Sequence, residues 1–293
     1  MIDAPGLELS AETSASATWQ AEGPLAPRTL EVAARVAGRL AIRGFEVSPA
    51  SFTVRRAPPE HVGLGVGTQL SLAVATLLAS RAGWTDPTAV DLADLAGRGR
   101  RSGVGLHGFT RGGLVVDGGR RGPEGVPPLL VRLEFPADWW VLVVIPPQKT
   151  GLYGVREIQA FAGLPSFPES LVDRLCRLVL LGVLPAVAEH DLIRFGEALE
   201  AVQEDVGRGF APAQGGTFAR PELAAIVADL RSVGLTGVGQ SSWGPTLYGF
   251  TDAPPDRRAA ILARLLDRPG LPPGAAFWTS ASRDGASLAV EAD

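Results

Sequence analysis

Lysine is almost missing from this chain. Of 27 basic residues, Lys149 is the only lysine, and the rest are arginine. The 31 acidic residues leave a net charge of −4, so no basic field surrounds the molecule and a general nucleic-acid binder is excluded. Cysteine is equally scarce. Cys176 stands alone, which rules out a disulfide within the chain, and its apolar helical setting (LVDRLCRLVLLGVL) predicts a buried, inert thiol. The three histidines, His61, His107 and His190, lack the spacing of structural zinc ligands. Long apolar runs are absent too. The longest, LVLLGVLPAVA, is too short for a bilayer and contains a proline. The opening MIDAPGLELS has neither the basic region nor the apolar core of a secretory leader, so the expectation is a soluble, cytoplasmic protein without membrane partners.

What is present suits a folded protein of one large domain or two packed ones. Hydrophobic residues make up 46% of the 293 and charged residues 20%, enough for a sizeable core. Residues 25–43 carry Leu30, Ala33, Val36, Ala37 and Leu40 at helical spacing. SFTVRR (51–56) alternates like a strand. TQLSLAVATLLASRAG follows as a helix with Thr68 in N-cap position, and Asp86-Pro87 opens a shorter one over 87–96. Residues 97–113, GRGRRSGVGLHGFTRGG, read as a glycine-rich loop. Strands are expected at GLVVDGG, LLVRLEF and WWVLVVIPP, the last apolar on both faces and so central in its sheet. Helices fill 168–208 and start again at Pro221. GVGQSSWGP reads as a second loop, TLYGF as a strand, PPDRRAAILARLLD as a helix, and AAFWTS and SLAV as closing strands. Strands and helices mix without strict alternation, which indicates an α+β fold, with a soft boundary near Pro136 separating 1–135 from 136–293.

The stretch HVGLGVGTQ carries the chemistry most plainly. Gly63, Gly65 and Gly67 precede a helix, whose N-terminus exposes unpaired N–H groups and a partial positive charge. Glycines there let the backbone approach an anion closely. The loop has no lysine, so it is no Walker-type loop, and its spacing is not that of a dinucleotide fingerprint.

Pro59 to Thr68 resembles the second motif of the GHMP superfamily of small-molecule kinases, P-x-x-x-G-L-G-S-S-A, with Val66 and Gly67 where those kinases have two serines. Two further stretches, GRGRRSGVGLHGFTRGGLVVDGG and GQSSWGPTLYGF, together with GTQLSLA, are similar to one branch of that superfamily, the β-ribofuranosylaminobenzene 5′-phosphate synthases of the methanopterin pathway. The resemblance implies a two-domain GHMP fold, with a ribosomal S5 domain 2-like N-terminal part and a ferredoxin-like C-terminal part. It implies a decarboxylating phosphoribosyl transfer. Phosphoribosyl pyrophosphate and 4-aminobenzoate or 4-hydroxybenzoate combine through a carbon–carbon bond, and pyrophosphate and carbon dioxide leave. An ATP-dependent kinase and a non-catalytic binding protein of the same fold are the alternatives. A homodimer is the default assembly.

Three tasks follow from that chemistry. Anionic ends must be held. The candidates are Gly63, Gly65, Gly67, Thr68 and Gln69, with Arg98, Arg100, Arg101 and Arg111 as guanidinium partners and Ser102 as a further donor. Magnesium is expected to accompany the pyrophosphate, with Asp117 as its carboxylate ligand. The aromatic acid must lie against the anomeric carbon, where His107 is the candidate acceptor or base and Phe109 a candidate packing surface. Gln240, Ser241, Ser242 and Trp243 complete the set of substrate contacts. Members of this branch open with a strand near P-x-R-L-H-F-G-L, which this sequence does not contain; the expectation is a late-assigned start and a chain missing its first strand. Turnover measured with and without the in-frame upstream segment checks this, and equal rates would refute it.

Overall fold

The computed structural model describes every residue except 15, 17, 100, 101, 121, 123, 124, 148–165, 219, 243 and 291–293. The chain divides into two units: residues 1–60, 65–134 and 281–293 form the first, and 61–64 with 135–280 form the second.

In the first unit, strand β1 (Glu8–Thr13) pairs antiparallel with β3 (Ala50–Arg56), and the short β2 (Gln20–Glu22) lies parallel on the other side of β3. Helix α1 (Ala26–Ile42) buries Val32, Ala33, Val36 and Leu40, the stripe that its spacing predicts. Helix α2 (Val66–Arg81) is apolar nearly all round and buries Leu70, Leu72, Val74, Ala75 and Leu78 completely, as a helix central to its layer must. Helix α3 (Ala89–Ala96) starts at a capping box between Thr88 and Asp91 and ends at Gly97 in the left-handed conformation. Residues 97–113 are not the loop that their glycines suggest. Val104–Arg111 form helix α4, whose Leu106 and Phe109 join the core. The glycines fall at its entry, its exit and one packed turn, which composition alone does not reveal. Strands β4 (Leu114–Asp117) and β5 (Leu129–Leu133) form an antiparallel pair. The closing segment returns to this unit through the Ile2–Ala281 bridge and a bond from the Gly113 amide to the Ser282 carbonyl (2.7 Å). SLAV (287–290) is irregular rather than a strand.

The second unit runs β6 (Trp140–Val144), α5 (Glu169–Leu178), a π-helical turn (Val179–Val183), α6 (Leu184–Ala188), α7 (Leu192–Gln214), α8 (Pro221–Ser232), β7 (Thr236–Gln240), β8 (Leu247–Thr251), α9 (Pro255–Leu266) and β9 (Ala276–Thr279). The sheet order β7-β8-β6-β9, with antiparallel neighbours throughout, gives the βαββαβ topology of a ferredoxin-like unit. β6 is interior, as its two apolar faces predict. Cys176 is exposed, contrary to the expected buried thiol: α5 buries none of its residues completely. Among the described residues, no helix is long and apolar enough to cross a membrane.

Edge strand β7 would otherwise leave outward amides unpaired. Helix α7 covers them: Glu200 accepts from the Val238 amide (3.0 Å) and Gln203 from the Gln240 amide (3.2 Å). The approach is close because Gly196 has no side chain; a Cβ there would overlap the Thr236 hydroxyl and lie 2.6 Å from the Thr236 Cβ. Gly196→Ala therefore destabilises the protein by roughly 1–3 kcal/mol in urea unfolding. Gly38→Ala, at a helical position with open space around it, is neutral or stabilising by the ordinary helix propensity, up to about 1 kcal/mol.

Candidate functional site

Each of the three loop glycines has its own local reason. Gly63 has φ +94° and meets the second unit's β7–β8 connection, where an added Cβ would lie 3.0 Å from the Gly244 Cα. Gly65, at φ +70°, is the N-cap of α2, so Thr68 is the third helical residue and not the cap expected from its chemistry. Gly67 is helical, and what fills the space beside it is the guanidinium of Arg28 from α1. No side chain caps α2, and among the described residues the Val66 and Gly67 amides have no acceptor.

The first unit gathers several candidates around this turn. Gln69 donates from Nε2 to the Gly105 carbonyl (3.0 Å), and the Gly105 Cα leaves room for the Thr68 methyl, so the first turns of α2 and α4 lie together. Ser71 donates to the Gly67 carbonyl (2.7 Å) and accepts from Nε of Arg98 (3.3 Å). Arg28 pairs with Glu60. Guanidinium groups from separate elements thus lie along the first two turns of α2. Arg98 was legible in its arginine-rich stretch. Arg28 was not, because nothing in PRTLEV marks a residue that meets Gly67 only after folding; the absent side chain at Gly67 was the one available hint.

Other candidates serve the fold. The Asp117 carboxylate turns into the N-terminus of α4: Oδ2 accepts from the Gly103 amide (2.7 Å), the Val104 amide (3.2 Å) and the Ser102 hydroxyl (3.1 Å), and Oδ1 from the Gly119 amide (3.0 Å). Asp117 and Ser102 are therefore brought together, but as a tertiary cap. His107 is buried in α4 and donates from Nε2 to the Pro127 carbonyl (2.8 Å), which pins the segment after β4. That bond occupies one of its two ring nitrogens. Phe109 packs in the core. Arg111 is exposed in the last turn of α4, the end away from Gly103, where a cation suits the helix dipole. Arg100 and Arg101 lie outside the described residues.

The second unit holds the rest. The Ser241 hydroxyl donates to the Gly63 carbonyl (2.8 Å), the Thr246 amide to the Val62 carbonyl (3.3 Å), and Gln240 from Nε2 to the Ser242 carbonyl (2.8 Å). Ser242 is exposed and left-handed at φ +56°. Gln240 and Ser241 thus fix the backbone of residues 61–64 and 240–246. Trp243 lies outside the described residues. Tyr248 is half-buried beside Gln203, and desolvation pushes its phenol well above the usual tyrosine range. Among the described residues, no group of three or more histidine, cysteine, aspartate or glutamate side chains could hold a metal.

Residues 183–269 match the family model for the C-terminal domain of GHMP kinases. A protein from Methanothermobacter thermautotrophicus named β-ribofuranosylphenol 5′-phosphate synthase is 34% identical over 273 residues, which cover 89% of this chain and 82% of that one. The protein of the same name from Archaeoglobus fulgidus is 36% identical, covering 86% and 79%. The chain belongs to the β-ribofuranosylphenol 5′-phosphate synthase family. The fold agrees with its wider superfamily. Homoserine kinase from Cytophaga hutchinsonii superposes with a TM-score of 0.64 at 16% identity, covering 97% of this chain and 89% of that one. Mevalonate diphosphate decarboxylase from Staphylococcus aureus gives 0.65 at 15%, covering 95% and 85%. At such identities these two establish the architecture alone.

In the arginine- and glycine-rich stretch of this chain, Asp117 acts as a cap on α4. Asp117→Ala costs about 1–2 kcal/mol of stability by stranding the first amides of α4, whereas Asp117→Asn, which still accepts from them, loses less than half as much; urea unfolding of both variants measures the difference.

Proposed function

We propose that this chain transfers the ribosyl 5-phosphate of phosphoribosyl pyrophosphate to 4-hydroxybenzoate, releasing carbon dioxide and pyrophosphate. The observation that carries the reading is the uncapped first turn of α2, with Arg28 beside it and Arg98 one turn along, in a chain of this family. The relatives' name specifies a phenol, so 4-hydroxybenzoate stands before 4-aminobenzoate as the acceptor.

The chemistry asks for charge management. As the C1–O bond breaks, its electron pair leaves with pyrophosphate and the ribosyl centre becomes cationic. Backbone amides and guanidinium groups aimed at the leaving oxygens stabilise the charge that develops there. The ring carbon bearing the carboxylate supplies the pair for the new carbon–carbon bond, helped by the para hydroxyl. Carbon dioxide then departs and its bonding pair restores the aromatic ring. No covalent nucleophile and no net proton transfer are needed, which suits a site whose His107 and Asp117 are committed to the fold. Holding both substrates in register can contribute several powers of ten.

Magnesium is a proposal of a different kind. The Asp117 carboxylate already accepts four hydrogen bonds and does not suit a metal ligand. Magnesium would enter with the diphosphate, bound by phosphate oxygens and water, and no step is routed through it.

The test is carbon dioxide release from carboxyl-labelled 4-hydroxybenzoate and 4-aminobenzoate, each with phosphoribosyl pyrophosphate or ATP. Release that requires phosphoribosyl pyrophosphate, faster with the hydroxy acid, is the expected result. A melting temperature raised by ATP alone would favour a kinase; ligand held at a hundred times its Kd stabilises by about 2.7 kcal/mol, a readily measured shift. Binding of phosphoribosyl pyrophosphate with no release from either acid would leave a non-catalytic binding protein.

A further inference from the structure

Helix α5 is apolar on two sides. Leu171, Leu175 and Leu178 are half-buried on the side toward α7, where Arg174 donates from Nε to the buried Asp205 carboxylate (2.6 Å). That ion pair fixes how α5 is turned about its axis. The side turned outward carries Val172, Cys176 and Leu180 at four-residue steps, with Leu181 beside them. Val172, Leu180 and Leu181 are 43%, 62% and 63% exposed, and Cys176 is exposed with them. A single exposed leucine is ordinary; a continuous stripe of such side chains marks a contact.

The π-helical turn lengthens the stripe. In an α-helix Leu180, three residues before Val183, would share the face that Val183 buries. The wider π turn over Val179–Val183 rotates Leu180 away from that face. Close packing on α7 holds the turn: a Cβ at Gly182 would lie 2.9 Å from the Ala198 Cβ. Charge borders the stripe on one flank. Asp173 and Arg177 directly follow Val172 and Cys176, so both lie on the same side of it. Both are exposed, and among the described residues neither has an ion-pair partner.

We propose that this face is where two copies of the chain meet, their α5 helices antiparallel about a two-fold axis beside Cys176. A two-fold contact must be self-complementary, and the charges meet that condition. The axis keeps each flank on its own side. Asp173 of one copy therefore stands across from Arg177 of the partner subunit, and the same pair forms again on the other side of the axis. Val172 meets Leu180 of the partner subunit, and the two Cys176 side chains come together. A parallel pair would set the charged flank against the half-buried leucines. The apolar stripe supplies the affinity, and the exposed ion pairs set the direction. So small a face falls short of the roughly 800 Å² a side of a standard interface, so the dimer is weak, with a Kd on the order of micromolar.

The experiment is sedimentation velocity of the full chain across a micromolar range, with cross-linking by a short bis-maleimide. Cys176 is the sole cysteine, so a cross-linked dimer joins Cys176 to Cys176. The parent should dimerise reversibly and cross-link. Leu180→Glu should weaken the dimer about a hundredfold, because each assembly carries the change twice. Asp173→Arg or Arg177→Asp alone should weaken it about threefold to tenfold by setting like charges across the axis. The two charge changes together should restore it. All three positions are exposed, and unchanged far-UV circular dichroism identifies the variants that stay folded; the charge variants carry the test if Leu180→Glu does not. A parent that stays monomeric throughout, or a dimer indifferent to Leu180→Glu and to both single charge changes, overturns the proposal and leaves the face to another occupant. No recovery in the double variant, or no cross-link in a dimer that Leu180→Glu breaks, overturns the antiparallel arrangement.

Discussion

An α-helix begins with amides that its own turns cannot satisfy, and the way α2 meets that constraint organises the first unit. Most helices take a side-chain cap. Here the cap is a left-handed glycine with nothing to donate or accept beyond its backbone. Beside it lie the guanidinium of Arg28, paired with Glu60, and that of Arg98 by way of Ser71. Helix α4 does the opposite a turn away: Asp117 reaches back from the end of β4 and neutralises its first amides. Two adjacent helix ends are thus treated differently. One is closed by a carboxylate and the other has no side-chain cap.

The second unit obeys a related constraint along a strand. The outer amides of β7 are taken by Glu200 and Gln203 of α7, and Gly196 makes the approach possible. Beyond β7, the Ser241 hydroxyl and the Thr246 amide tie the connection to residues 62 and 63. Polar side chains that read as substrate contacts in sequence are here the means of fixing a backbone.

Residue type was a good guide to elements and a poor one to roles. The apolar spacing of 30–40, the doubly apolar WWVLVVI and the proline-led helix at 221 all became the elements they suggest, because burial periodicity is a local property. Composition misled at 97–113, where glycine density concealed α4, and at SLAV, where alternation had no partner strand. Asp117 and His107 have the chemistry of catalytic groups. Whether a carboxylate or an imidazole is available depends on what lies within hydrogen-bond reach, and for both of these the backbone does.

By itself, the sequence determined that the chain has an α+β core and that its glycine-rich turn leads into a helix. Those follow from composition and short-range pattern. Its motifs also carry the family. Only the tertiary structure decided which polar groups are spent and which are free. Gly67 and Arg28 are separated by α1, β3 and the loop, and their contact is a steric exclusion between distant parts of the chain. No local pattern records such a fact, because the missing Cβ acquires its meaning only when the guanidinium arrives to fill the space.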